Sequence, residues 1–182
     1  SCFSKVNNIK SSPIDRCGQT ADAIKDGLEF AGEIQVMDVL NADGVYVQDV
    51  NLAKANFINN SNPIGVFSKM LNGDIVPGMN NVEHATAVLL QALLNDLNEI
   101  KNPVLYVTHD SILALFVGTL LKCNFTQENW FGYLEGIAIK KISGSYYLYW
   151  NDNQYDITIR CQELLALLDC NALQSEELQD VK

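Results

Sequence analysis

The run "VLYVTHDSILALFVGTLL", residues 104–121, decides the fold class. Its first five residues are apolar without alternation, the pattern of a parallel strand covered on both faces, and VLYVT is predicted as a central strand. The stretch after Asp110 returns to a strongly apolar helix. Upstream, Val82, Ala85, Val88, Leu89, Ala92, Leu93, Leu97 and Ile100 recur at the spacing of a long amphipathic helix, stopped by Asn102-Pro103. The unit is therefore helix, strand, helix, with His109 and Asp110 at the strand's C-terminal end. In open α/β sheets that edge is where ligands bind.

A second junction of the same kind lies near the start. In "SSPIDRCGQTA", residues 11–21, Pro13 biases Ser12 away from helix and ends a short extended segment, NNIKSS. From Asp15 onward Cys17, Thr20, Ala21, Ile24, Leu28 and Ala31 fall on one helical face, and Gly32 closes the predicted helix. If the two strands are parallel neighbours, Ser11, Ser12, Asp15 and Arg16 meet Thr108, His109 and Asp110 on one sheet edge. A guanidinium and an imidazole beside a helix N-terminus suit a phosphate, because arginine offers paired donors and the helix end adds free N–H groups. A carboxylate does not help to hold a dianion. Asp110 fits better as an acid that protonates a leaving oxygen.

The remaining segments fill in the same class. EIQVMDV is a strand candidate, and residues 41–62 form a polar, asparagine-rich stretch predicted as an irregular loop, a length that is often functional in a compact domain. A short helix is predicted from Ile64 to Leu71, ending at Asn72-Gly73. YLEGIAIKKI and SYYLYW flank Ser143-Gly144 and predict a hairpin at the sheet margin. CQELLALLDCNAL closes the chain's pattern as a helix. No linker or repeat divides the 182 residues, and a single domain is expected.

Composition removes several function classes. The net charge of −10 leaves no broad basic surface for nucleic acid or anionic lipid, and any bound anion must be caught locally. No apolar run approaches the roughly 18 residues needed to span a bilayer. Five cysteines, Cys2, Cys17, Cys123, Cys161 and Cys170, show no zinc spacing, and no metal or other cofactor is expected. On one helix, Cys161 and Cys170 are separated by about 13 Å of rise, too far to be bridged.

SSPIDRCGQTADAI resembles the helix-opening motif of the histidine phosphatase superfamily, and YVTHDSILALFVGTLL resembles its second-histidine motif. The His-Asp pair is similar to the acid-phosphatase branch, whereas Ser-Ser-Pro and Gln-Thr-Ala are similar to the phosphoglycerate-mutase-like branch. The resemblance implies a three-layer α/β sandwich with a mostly parallel central sheet flanked by helices, a phosphoglycerate-mutase-like fold lacking its first strand. It implies hydrolysis of a small phosphorylated substrate through a phosphohistidine. Arg16 would bind the phosphate, His109 would donate to its oxygens, and Asp110 would protonate the leaving alcohol. The acid-phosphatase branch implies a periplasmic or secreted protein, the mutase-like branch a cytoplasmic one.

The superfamily's nucleophile is a histidine in an Arg-His-Gly motif on the first strand. Here the arginines are Arg16 and Arg160 and the histidines are His84 and His109, so that motif is absent from these residues. The chain begins with Ser1, almost at the Ser-Ser-Pro junction, and the expectation is an N-terminally truncated polypeptide whose nucleophile precedes it. A mutase-like enzyme and a non-catalytic phosphoester-binding domain stand as alternatives. Plainer roles also stand beside the site residues: Arg16 paired with Asp15 on the surface, His109 as a satisfied structural histidine, Asp110 as the N-cap of its helix. His84 reads as a solvated or capping residue, and Glu135 as either a second acid near the site or a half-buried structural carboxylate on a strand. Asp38, Asp43 and Asp49 carry no assigned role. Residues 41–62 and 123–133 are expected to shape specificity.

Overall fold

The computed structural model describes residues 6, 8–60 and 62–177, with side chains placed as far as residue 170. Cys2 lies outside the described residues. Three parallel strands form a sheet in the order β2-β1-β3, where β1 is Asn8–Ser11, β2 is Ile34–Val36 and β3 is Val104–Val107. Ser11 stands in register with Val36 on one side and Val107 on the other. Successive residues of a strand face opposite ways. Ile9 and Val107 therefore pack with Cys17 and Ala21 of α1, Asp15–Gly27, on one face. On the other, Lys10 and Tyr106, opposite each other in register, both reach Asp96 of α4, Val82–Glu99.

That second contact is ionic and hydrogen-bonded: Lys10 Nζ lies 2.7 Å from Asp96 Oδ2, and the Tyr106 hydroxyl donates to Oδ2 at 2.6 Å. Burial and the adjacent carboxylate push the Tyr106 hydroxyl far above its ordinary titration range. Beyond α4 lies the main core, where Leu90 and Leu94 join Leu115, Phe116 and Val117 of α5, Asp110–Leu121, and Leu164 of the last helix. The result is the expected α/β architecture, helices on both faces of a parallel sheet.

Within it, β3 takes a different place from the one predicted. It sits at the edge of the described sheet, and β1 is central. An unbroken apolar run reports cover above and below a strand, which Leu105 and Tyr106 have; it carries no information on neighbours in the hydrogen-bonding direction. Helix α1 also ends early. Glu29 adopts a left-handed conformation, φ 51°, the Phe30 N–H donates to the Lys25 carbonyl, and the chain leaves the helix five residues before Gly32.

The asparagine-rich segment contains a helix instead of a continuous loop. Helix α2, Val50–Asn59, starts at Asp49, whose carboxylate accepts from the Asn51 and Leu52 N–H groups. Its buried Ala53 lies under Gly78, where φ is +82° and a Cβ would come within 2.4 Å of the Ala53 nitrogen. Only glycine allows that approach. Helix α3, Pro63–Leu71, follows as predicted, with Asn62 capping through the Gly65 N–H.

The C-terminal strands form their own antiparallel sheet: β4, Ala138–Ile142, β5, Ser145–Trp150, and β6, Asn153–Asp156, in that order. The hairpin at Ser143-Gly144 is present, but it does not border the parallel sheet. Strand β6 was not predicted, because Asn-Gln-Tyr-Asp is polar; Asn151 and Asp152, both at positive φ, make the tight turn that returns it to β5. Helix α6, Thr158–Glu177, carries both Cys161 and Cys170, and both are free thiols, as are Cys17 and Cys123. Among the described residues, no helix is long and apolar enough to cross a membrane.

Candidate functional site

Parallel pairing of β1 and β3 brings the two strand-to-helix junctions side by side. The Ser12 N–H donates to the Val107 carbonyl at 2.9 Å, and the Thr108 hydroxyl donates to the Leu40 carbonyl at 2.8 Å, pinning the end of β3 to a 3-10 turn at Asp38–Leu40. Ile14 caps α1 and His109 caps α5, each in extended conformation and each without a side-chain capping bond. The Cys17 N–H turns back to the Ile14 carbonyl and the Ser111 N–H to the Asp110 carboxylate, and the positive ends of both helix dipoles meet at this edge, a setting that attracts anions.

His109 is buried between them, 4% exposed. Arg16 Nη2 donates to its Nδ1 at 2.9 Å, and Ser12 Oγ lies 3.0 Å from its Nε2. A guanidinium nitrogen can only donate. Nδ1 must therefore accept, the ring proton sits on Nε2, and Nε2–H donates to Ser12 Oγ. The sulfur of Cys17 packs against the ring, 3.7 Å from Nε2 and 3.8 Å from Nδ1. Burial, and then the Arg16 charge, hold the imidazole below its ordinary pKa of 6.5; Asp110 and Asp43 act weakly the other way. Burial likewise pushes the Cys17 thiol up, so it is a packing group in this site and not a thiolate.

The neutral state of His109 has a measurable cost in acid. The unfolded chain takes up the imidazole proton near pH 6.5, before the folded chain does, so this contribution to stability is fully present above that pH. It is lost as pH falls through the lower folded-state value. The urea unfolding midpoint of the wild type is expected to fall more steeply on acidification below pH 6.5 than that of His109→Gln. Parallel slopes for the two proteins would contradict the assignment.

Asp110 is the first residue of α5, one position past the cap, which His109 occupies. Its Oδ1 accepts from the Ser111 N–H at 2.8 Å and its Oδ2 from the Trp130 indole N–H at 2.7 Å. Arg16 makes no ion pair with Asp15; its only side-chain hydrogen bond among the described residues is the one to His109. Arg160, the second arginine, belongs elsewhere, donating to Glu83, Glu163 and the Thr119 carbonyl where α4, α5 and α6 meet.

The other predicted residues divide cleanly. His84 sits in the first turn of α4, its N–H donating to the Asn81 cap, and Glu135 lies in an exposed turn where it accepts from the Gly132 N–H. Glu135 is not on a strand. Asp49 is spent on capping α2, whereas Asp43 is near enough to His109 to be felt by it. Two neighbours were not singled out from sequence, Cys17 and Trp130. The first was visible as the buried position next to Arg16; the second stood inside the 123–133 segment without any local pattern to mark it. Among the described residues, no cluster of three or more His, Cys, Asp or Glu is arranged to hold a metal ion.

No family model and no curated protein matches this sequence. Among solved structures, the fold is similar to that of a phosphoserine phosphatase mutant from Entamoeba histolytica, crystallised in complex with phosphoserine. The likeness has a TM-score of 0.51 at 19% identity and covers 78% of this chain and 71% of that one. At that identity it speaks for a shared fold.

Proposed function

We propose that this edge binds the phosphate of a small phosphomonoester and that the complete protein hydrolyses it in the manner of a histidine acid phosphatase. The observation that carries the reading is the Ser12–His109–Arg16 constellation, set between two helix N-termini in a protein of net charge −10. The two motif resemblances and the fold shared with a phosphoserine phosphatase support it. A phosphate entering here accepts hydrogen bonds from the uncommitted Arg16 N–H groups and from the Nε2–H of His109 once Ser12 yields it.

In the proposed reaction a histidine nitrogen attacks phosphorus, and the bond to the ester oxygen breaks. Its electron pair stays on the leaving oxygen, which takes the proton of Asp110. Water then attacks the phosphohistidine, releasing phosphate and returning a proton to Asp110. His109 is not the attacking group: its Nε2 carries the ring proton and the lone pair of Nδ1 accepts from Arg16, so neither nitrogen has a free pair to attack phosphorus. His84 lies in the first turn of α4 and makes none of the site's hydrogen bonds. The nucleophile is assigned to a histidine outside residues 1–182.

The test is a trapping experiment on the full-length protein. An alkyl phosphomonoester labelled at phosphorus is expected to leave an acid-labile, base-stable label on a histidine outside residues 1–182. A phosphate-binding protein with no turnover and no label would overturn hydrolysis and leave a phosphoester-binding domain. That second reading is favoured by one observation, the lack of an Arg-His-Gly motif in these residues.

A further inference from the structure

We infer that Trp130 is the positioning residue for Asp110, and that its indole N–H adapts the site to phosphomonoesters of alkyl alcohols. The inference rests on the hydrolytic reading above and adds to it a substrate class and a residue. Asp110 is exposed at the start of α5, where an aspartate side chain ordinarily samples several rotamers. Here it is held at both oxygens, by the Ser111 N–H on Oδ1 and by the Trp130 N–H on Oδ2. The backbone donor belongs to the helix itself. The indole comes from twenty residues downstream and fixes the carboxyl plane against the site.

Trp130 can do this because its own ring is fixed. It stacks on Phe67 of α3 at 5.6 Å between centroids and 28° between planes, and Phe125 meets it edge-on at 6.0 Å. Phe125 continues into Phe131 and Trp150, and Phe67 into Phe57, so the indole is held from both sides inside an aromatic array that reaches the buried Phe125 and Phe131. An indole N–H donates and never accepts. Each carboxyl oxygen has two lone pairs, so Asp110 keeps both bonds whether or not it carries a proton, and that proton has a defined direction of delivery.

Such an arrangement matters in proportion to the basicity of the leaving oxygen. An alkoxide cannot depart unless a proton arrives as the P–O bond breaks, and the orientation of the acid then enters the barrier. A nitrophenolate departs without that help. An acid held from both sides is of use to a protein whose substrates are alkyl esters.

Trp130→Phe keeps the stacking and removes only the donor. In the full-length protein, kcat for 2-glycerol phosphate is expected to fall by about 10–100-fold, the worth of one hydrogen bond to a charged group. KM should change little, and kcat for p-nitrophenyl phosphate should fall several-fold less. In an Asp110→Asn background, Trp130→Phe should cost nothing further. If the phenylalanine variant melts below the assay temperature, 3-benzothienylalanine at position 130, which replaces N–H by sulfur in the same outline, takes its place. Equal losses on both substrates, or an undiminished loss in the Asp110→Asn background, would show a merely structural role and overturn the inference alone. A full-length wild type that turns over neither ester would overturn it together with the hydrolytic reading.

Discussion

Asp110→Asn is expected to keep phosphate binding and to lose turnover of an alkyl phosphomonoester by about 10²–10⁴-fold, the range that a general acid contributes. The substitution preserves shape, and the amide oxygen still accepts from one of the two donors that hold the carboxylate, Ser111 N–H and Trp130 Nε1–H. What disappears is the transferable proton. The groups proposed to bind the anion, Arg16, Ser12 and His109, are untouched, so the dissociation constant of inorganic phosphate should stay within a fewfold of wild type. Loss of a negative charge from the first turn of α5 costs about 0.3–1 kcal/mol of stability, small enough to leave the protein folded. The mutase-like alternative requires the opposite outcome. If Asp110 only completes the helix start, activity stays near normal. Asp110 stands one position past the cap, and its Oδ1 accepts from the Ser111 N–H, so the activity of Asp110→Asn is what separates the two readings.

Arg16→Ala should weaken inorganic phosphate binding by about 10–100-fold, since a charged hydrogen bond contributes roughly 1.5–3 kcal/mol. Lysine in its place should restore only part of this, having the charge without the planar fork. A second readout separates a binding role from a surface one. Arg16 donates to His109 Nδ1, and its charge helps to hold the imidazole pKa down, second to burial. Removing it should move the His109 titration upward, as followed by the ring carbon-bound proton in NMR. A surface arginine paired with Asp15 would leave both phosphate affinity and the His109 titration unmoved.

Much of the fold was legible because its signals are local and strong. The unalternating VLYVT run, the apolar spacing that holds for about five turns from Val82 and the His109-Asp110 insertion marked a strand end between two helices, and those elements lie where the pattern put them. What escaped is of two kinds. Helix α2 and strand β6 are built from residues of weak propensity, Asn-rich in one case and Asn-Gln-Tyr-Asp in the other. They exist because tertiary neighbours complete them: Gly78 admits Ala53, and β5 supplies the ladder for β6. The centrality of β1 over β3 escaped because pairing order is a property of the whole chain.

In the site the division is similar. Arg16, His109 and Asp110 stood out as polar residues where an apolar strand gives way to a helix. Trp130 did not, because an aromatic in a loop is ordinary until its partner is known. Glu135 illustrates the reverse error. Its carboxylate is real, but Gly132 folds it into its own turn and it never reaches a strand.

Ser12 and His109 are 97 residues apart in the chain, Arg16 and His109 are 93, and the Lys10–Asp96 tie beneath them spans 86. Contacts of that span carry a large loop-closure cost and form slowly, whereas α4, α5 and the turns between them can associate early. The proposed anion site needs β1 paired with β3, so a fragment holding only one of the two junctions does not contain it. A phosphate bound there would favour the completed state over any state in which β1 and β3 are unpaired.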